Sequence, residues 1–240
     1  MLPSTVSVLG FPISNVDMKE ALEETMRIIE DGKPRIITTP NPEMIVQARE
    51  DPCLGEVLRG AALNLPDGIG LVWASRLKGQ PLKEKVAGIE FMTGMLALAA
   101  EKGLGVYFLG AKPGVAREAA DKLQDRFPGL KVVGVSHGYF TAEEEREIVE
   151  DIKGLKPQIL FVGLGAGKQE KWINQYQGES GVPVAVGVGG SFDVLAGRLS
   201  RAPRLICKMG LEWLYRSFQE PSRIFRLAAL GKFVIMVFKE

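Results

Sequence analysis

Short apolar runs alternate with longer segments in which apolar residues recur every three or four positions, from Val6 to about Gly197. The short runs predict strands over 6–13, 35–39, 62–65, 106–109, 131–135, 159–164 and 182–188. The longer segments predict helices over 18–30, 43–49, 69–77, 89–102, 114–126 and 142–153, with another starting near Lys168. The first helix places Ala21, Leu22, Thr25, Ile28 and Ile29 on one face and ends at Asp31-Gly32-Lys33-Pro34. Thr141 with Glu144 forms a capping box at the start of the helix over 142–153. The segment 78–88, with Lys78, Lys83 and Lys85, reads as a basic, flexible loop. Strands alternating with helices imply an α/β fold: a Rossmann-like, mostly parallel sheet with helices on both faces. That pattern stops near Gly197, dividing the chain into a core, 1–197, and a helical C-terminal appendage, 198–240.

Composition changes the picture mainly in the appendage. From Arg198 onward, nine basic residues face three acidic ones, although the whole chain carries a formal net charge of only +1. That average makes no case for a nucleic-acid partner. The stretch 227–238 is apolar except for Gly231 and Lys232, yet falls well short of the ~20 residues that span a bilayer. Two readings stand for it. It lies on an anionic membrane surface, or it packs on its own core or on another subunit, self-associating when no membrane is present. Cys53 and Cys207 match no paired zinc spacing, and the single His137 gives no His-rich metal cluster. No basic segment followed by a long apolar run opens the chain, so cytoplasmic residence is the default.

In an open α/β sheet, ligands bind outside the carboxyl ends of the strands. One such end is Pro66-Asp67-Gly68, a sharp turn holding one carboxylate, whose plain alternative role is to cap the turn or the next helix. Around it four ends are glycine-rich: those at Gly110, Gly138, Gly163–Gly167 and Gly187–Gly190. Backbone amides there can approach an anion closely, which suits a nucleoside diphosphate. The P-loop and dinucleotide fingerprints both fail, because Gln169 replaces the required hydroxyl residue and Lys168 and Phe192 stand at third-glycine positions. General-base work at neutral pH therefore falls to Asp67, Asp193, Glu170 or His137, the last more often a structural residue. Tyr139 suits stacking on a base or burial in the core equally.

Taken in order, Thr39-Pro-Asn41-Pro-Glu43, Leu65-Pro66-Asp67-Gly68, Pro81 to Gly88, His137-Gly138-Tyr139-Phe140, Lys168-Gln169-Glu170-Lys171-Trp172, Gly187 to Asp193 and Gly210 to Arg216 resemble the TagA/WecG/CpsF glycosyltransferases. The resemblance runs nearly end to end and is closest to the TagA branch. It implies an inverting transferase that uses no metal or other cofactor. The sugar would pass from a UDP-sugar donor, UDP-N-acetylmannosamine, to a polyprenyl-diphosphate-linked acceptor at the cytoplasmic face of a membrane, the enzyme being peripheral. A related use of a uronic acid donor, or a non-catalytic nucleotide-sugar binder, are the alternatives. The resemblance implies Asp67 as catalytic base and Thr39, Asn41 and Gln169 as the lining of the sugar pocket. Lys85 stands in the 81–88 loop where the family commonly has Arg, keeping charge but losing the bidentate fork. Gly110, Gly138, Tyr139, Gly189, Gly190 and Asp193 fall where the donor nucleotide is expected. Arg216, Arg223 and Arg226 match arginines that complete the site against the lipid diphosphate. Gly167 replaces the usual proline before Lys168-Gln169, which loosens that loop.

Overall fold

The computed structural model describes residues 2–200, 202, 203, 206, 215 and 225–239. Its elements run β1 (Thr5–Val8), β2 (Phe11–Ser14), α1 (Met18–Asp31), β3 (Arg35–Thr38), α2 (Pro42–Glu50), α3 (Pro52–Gly60), β4 (Leu63–Asn64), α4 (Ile69–Leu77) and α5 (Gly88–Lys102). They continue through β5 (Gly105–Gly110), α6 (Val115–Arg126), β6 (Lys131–Ser136), α7 (Ala142–Leu155), β7 (Ile159–Gly163), α8 (Lys168–Ser180), β8 (Val184–Gly187), α9 (Ser191–Leu195) and α10 (Phe225–Lys239). Six strands form one parallel sheet in the order β4-β3-β8-β7-β5-β6. The expected α/β architecture is therefore present.

Two expectations at the N-terminal end are corrected. The run over 6–13 is not one strand of that sheet but an antiparallel hairpin, a separate two-stranded sheet. Its turn, Leu9-Gly10, has φ of 51° and 82°, the positive values that a two-residue hairpin needs. The helix α3 was not anticipated, although Asp51 caps it by accepting from Leu54 N at 3.1 Å and Pro52 opens it.

Both faces of the sheet are covered, so its central strands are apolar without interruption. Along β5, Val106 and Phe108 face α5 and α6, where Phe91, Met95 and Ala119 are buried, while Tyr107 and Leu109 face α7 and α8, with Val149, Ile152 and Ile173. The two-residue alternation thus splits one strand between two cores. A third core gathers the hairpin, α2, α4 and α10: Phe11, Ile13, Ile45, Leu71, Phe233 and Val237 are buried together. Of the two readings for the apolar tail, its own core receives one face of α10. Lys232 reinforces this by pairing with Glu50, and the Phe238 ring meets Trp73 edge-on at 5.9 Å. Fully burying a side chain such as Phe233 contributes about 1.5–3 kcal/mol. Ile235 on the opposite face is 57% exposed, and Phe238, beyond its edge contact with Trp73, is 71% exposed.

The loop over 78–88 is not free, as its basic composition implied. Leu82 and Val86 are buried, Leu82 N donates to Ser75 Oγ at 3.0 Å, and Val86 N donates to Pro66 O at 2.9 Å. Its apolar residues anchor it beside the Asp67 turn while Lys83 stays exposed and pairs with Glu20.

Candidate functional site

The short strand β4 delivers Asp67 to the carboxyl edge of the sheet. Pairing with β3 continues past both strands, because Leu65 N donates to Thr38 O at 2.8 Å and Asp67 N donates to Pro40 O at 2.9 Å. These bonds fix the backbone of the turn, and Gly68 leaves it with φ of 107°. Gly68, not Asp67, occupies the N-cap of α4. Beneath this edge, buried Asn64 donates Nδ2 to Leu58 O at 2.7 Å and accepts from Thr38 Oγ1, tying β4 to β3 and α3.

Three of the anticipated residues come together here. A methyl carbon placed on Gly88 would lie 3.3 Å from Thr39 Oγ1 and 3.5 Å from Asp67 Oδ2, so hydroxyl and carboxylate border one small space before α5. Asn41 lies against the other side of the Asp67 turn, its Cβ 4.0 Å from where a side chain on Gly68 would begin. Its Oδ1 caps α2 by accepting from Met44 N at 2.9 Å, which fixes its orientation. Lys85 is half-buried in the anchored loop that leads to Gly88.

Next along the edge, Thr39 Oγ1 donates to Gly187 O at 3.4 Å, joining this space to the end of β8. Gln169 is buried, with Nε2 donating to Glu170 Oε1 at 2.8 Å and Oε1 accepting from Gly189 N at 2.9 Å. The glycines divide into two kinds. A Cβ on Gly110 would sit 2.4 Å from Gly163 O, one on Gly138 2.8 Å from Leu164 Cδ2, and one on Gly163 2.8 Å from Gly189 O. At Gly110 and Gly163 the packing of one strand end against the next requires glycine, whereas at Gly138 the Leu164 side chain could move aside. Gly165 and Gly189, with φ of 91° and 53°, face open space, where a ligand could approach their backbone. Gly190 caps α9, and Asp193 in its first turn is half-buried, its carbonyl accepting from Arg198 N at 2.9 Å.

Tyr139 is 67% exposed, which removes the core reading and leaves its ring on the surface beside Gly138. His137 accepts from Tyr139 N through Nδ1 at 3.3 Å, a local structural bond. Glu170 is fully buried and cannot meet an acceptor, so it leaves the set of candidate bases; burial pushes its carboxyl up, against the lowering effect of its hydrogen bonds. Arg216 and Arg223 lie outside the described residues, as does the side chain of Arg226, whose backbone belongs to α10.

Two clefts adjoin this edge. One, about 400 Å³, is lined by Lys112, Arg117, His137, Phe140 and Glu147 beyond β6. The other, about 580 Å³, lies between α2 and α8 and is lined by Gln47, Asp51, Ala166, Lys168 and Trp172. Asp67 borders neither. Among the described residues no three His, Cys, Asp or Glu side chains are grouped to hold a metal ion, and no helix is long and apolar enough to cross a membrane. The signal overlooked in the sequence is Glu170 as a structural partner: it stands three residues after Gly167, the spacing of a capping box, and Gly167 N donates to its Oε2 at 2.7 Å.

The chain is similar to known proteins over most of its length. The model of the Glycosyl transferase WecG/TagA/CpsF family matches residues 6–240. An N-acetylglucosaminyldiphosphoundecaprenol N-acetyl-beta-D-mannosaminyltransferase of Bacillus spizizenii is 38% identical over 211 residues, 88% of this chain and 81% of that protein. Proteins of the same name from Bacillus subtilis (strain 168) and Staphylococcus aureus (strain MW2) are each 35% identical, over 98% of this chain and 92% of their own. A match of that extent, on a chain whose parallel sheet brings Asp67, Thr39 and Asn41 to one edge, places it: the protein belongs to the WecG/TagA/CpsF family of glycosyltransferases.

Proposed function

We propose that this protein transfers N-acetylmannosamine from UDP-N-acetylmannosamine to N-acetylglucosaminyl-diphospho-undecaprenol, with inversion and without a metal ion. The supporting observation is the shared space in which Asp67 Oδ2 and Thr39 Oγ1 meet at Gly88, on the edge where α/β folds bind ligands. Asp67 accepts the proton of the acceptor hydroxyl as that oxygen attacks the anomeric carbon. The bond from that carbon to the diphosphate breaks, and UDP leaves with the electron pair. Inversion follows from a single displacement. A base positioned in this way contributes typically about 10²–10⁴-fold in rate.

Thr39, Asn41 and Gln169 line the sugar, and Lys85 supplies positive charge from the anchored loop. Gly110, Gly138, Tyr139, Gly189, Gly190 and Asp193 receive the nucleotide, Gly189 through the open space at its α-carbon and Tyr139 through an exposed ring. Arg216, Arg223 and Arg226 bind the diphosphate of the acceptor, guanidinium matching phosphate in pairs of hydrogen bonds. The carrier is a lipid, so the enzyme works as a peripheral protein at the cytoplasmic membrane surface. Supporting that placement, α10 exposes Ile235 and Phe238 on a segment that also carries Lys232 and Lys239.

The test is a transfer assay with purified protein, a polyprenyl-diphosphate-linked N-acetylglucosamine and a panel of UDP-sugars, products being identified by mass spectrometry. Addition of one N-acetylhexosamine from UDP-N-acetylmannosamine is expected. Product from the uronic acid donor alone would reassign the donor, and binding without any product would refute transfer.

A further inference from the structure

Glu170 is the most deeply buried carboxylate among the described residues, with no exposed surface, and the proposed reaction does not use it. Its two oxygens are both engaged: Oε2 accepts from Gly167 N at 2.7 Å, and Oε1 accepts from Gln169 Nε2 at 2.8 Å. Both oxygens of Glu170 accept here, whereas a glutamine amide has a donor end and an acceptor end. Glu170 therefore decides which way the Gln169 amide faces. With Nε2 turned towards Glu170, Oε1 is left to accept from Gly189 N at 2.9 Å. The end of β8 is fitted onto this pair, since a Cβ on Gly187 would lie 2.5 Å from Gln169 Nε2 and 2.6 Å from Glu170 Oε1. Gly189, at the end of the relay, faces open space with φ of 53°.

We propose that Glu170 is a positioning residue: by fixing the orientation of the Gln169 amide it holds the Gly189–Gly190 turn in the shape that receives the donor nucleotide. This rests on the nucleotide-sugar reading above. Glu170→Gln keeps the volume but gives position 170 a donor end. That end must face either Gly167 N or Gln169 Nε2, both donors. If Gln169 turns over to relieve the conflict, its amino end meets Gly189 N. The fault therefore moves to the turn. The exchange Gln169→Glu with Glu170→Gln reverses both partners and restores every pairing: the new amide accepts from Gly167 N and donates to the new carboxylate, which also accepts from Gly189 N.

The experiment titrates UDP into the full-length wild type, Glu170→Gln and the exchanged double variant by calorimetry, and measures KM for UDP-N-acetylmannosamine and for the lipid acceptor. UDP carries no sugar, so the proposed contact of Gln169 with the sugar does not enter the titration. Glu170→Gln is expected to raise the UDP Kd and the donor KM roughly ten-fold, the size of one buried unsatisfied donor. The acceptor KM stays within about two-fold, and the exchange brings the UDP Kd back to within about three-fold of wild type. Unchanged UDP affinity in Glu170→Gln, an exchange no better than the single variant, or an equal rise in both KM values would overturn the assignment. Absence of UDP binding by the wild type would overturn the nucleotide reading itself, and this inference with it.

Discussion

Substituting Gly88 by alanine separates folding from catalysis at this site. Gly88 is not one of the glycines with positive φ, and it opens α5, so alanine suits its backbone and adds at most the preference of about 0.5–1 kcal/mol that holds in a helix interior. The new methyl carbon would lie 3.5 Å from Asp67 Oδ2, an ordinary contact, and 3.3 Å from Thr39 Oγ1, which asks that side chain to give by a few tenths of an ångström. These effects nearly cancel, and in a domain of this size 1 kcal/mol moves Tm by about 2–4 °C, so Tm should stay within about 3 °C of wild type. The same methyl occupies the space through which an acceptor hydroxyl must come within about 2.6–3.2 Å of the carboxylate. Misplacing a reacting group by ~1 Å costs on the order of 10²-fold, and that is the expected loss in kcat/KM. Initial rates with donor and lipid acceptor, a UDP titration and a thermal melt decide it. Undiminished turnover in a folded Gly88→Ala variant would refute the claim that the reaction occupies the space between Thr39 and Asp67.

Two further predictions concern the frame around the site. Asn64→Ala leaves Leu58 O and Thr38 Oγ1 without their buried partner and should lower stability by about 2–4 kcal/mol in urea denaturation; a loss below ~0.5 kcal/mol would contradict that role. Tyr107 is buried with its hydroxyl donating to Asp151 Oδ2 at 2.8 Å, and burial pushes its phenol above the ordinary value near 10. The native phenol thus keeps its proton where the unfolded one loses it, so stability is complete below about pH 10 and falls as pH rises above it. Tyr107→Phe should cost about 1–2 kcal/mol at neutral pH, and its deficit against wild type should shrink on passing pH ~10; a constant deficit would be the contrary result.

The periodic pattern located most of the frame because each core strand is bounded by glycine or proline and each helix has one apolar face. Thr141 and Glu144 form the anticipated capping box, with Thr141 N donating to Glu144 Oε2 at 2.7 Å. The hairpin escaped because its turn begins with Leu9, an apolar residue that is itself buried, so the run over 6–13 shows no polar break. In α3 the signals were present, Asp51, Pro52 and then Leu54, Val57 and Leu58, but Gly55 and Gly60 break up a nine-residue segment. The loop over 78–88 misled for a different reason: its lysines dominate its composition, while Leu82 and Val86 decide where it lies. At the site, position at a strand end pointed to Asp67, the family resemblance pointed to Thr39 and Asn41, and the pairing of β3 with β4 sets these strand ends side by side. The relay from Glu170 to Gly189 was not legible, since it joins two loops twenty residues apart through the orientation of one amide. Nor does sequence separate Gly110, crowded by the Gly163 backbone, and Gly163, crowded by Gly189 O, from Gly189, whose own missing side chain faces open space.

The mechanism depends on Asp67 as the group that takes the acceptor's proton, and Asp67→Asn measures that directly. The substitution keeps size and removes basicity. With UDP-N-acetylmannosamine and the lipid acceptor, kcat is expected to fall by about 10²–10⁴-fold while the Kd for UDP stays at the wild-type value. Turnover close to wild type in that variant would contradict the mechanism at its centre.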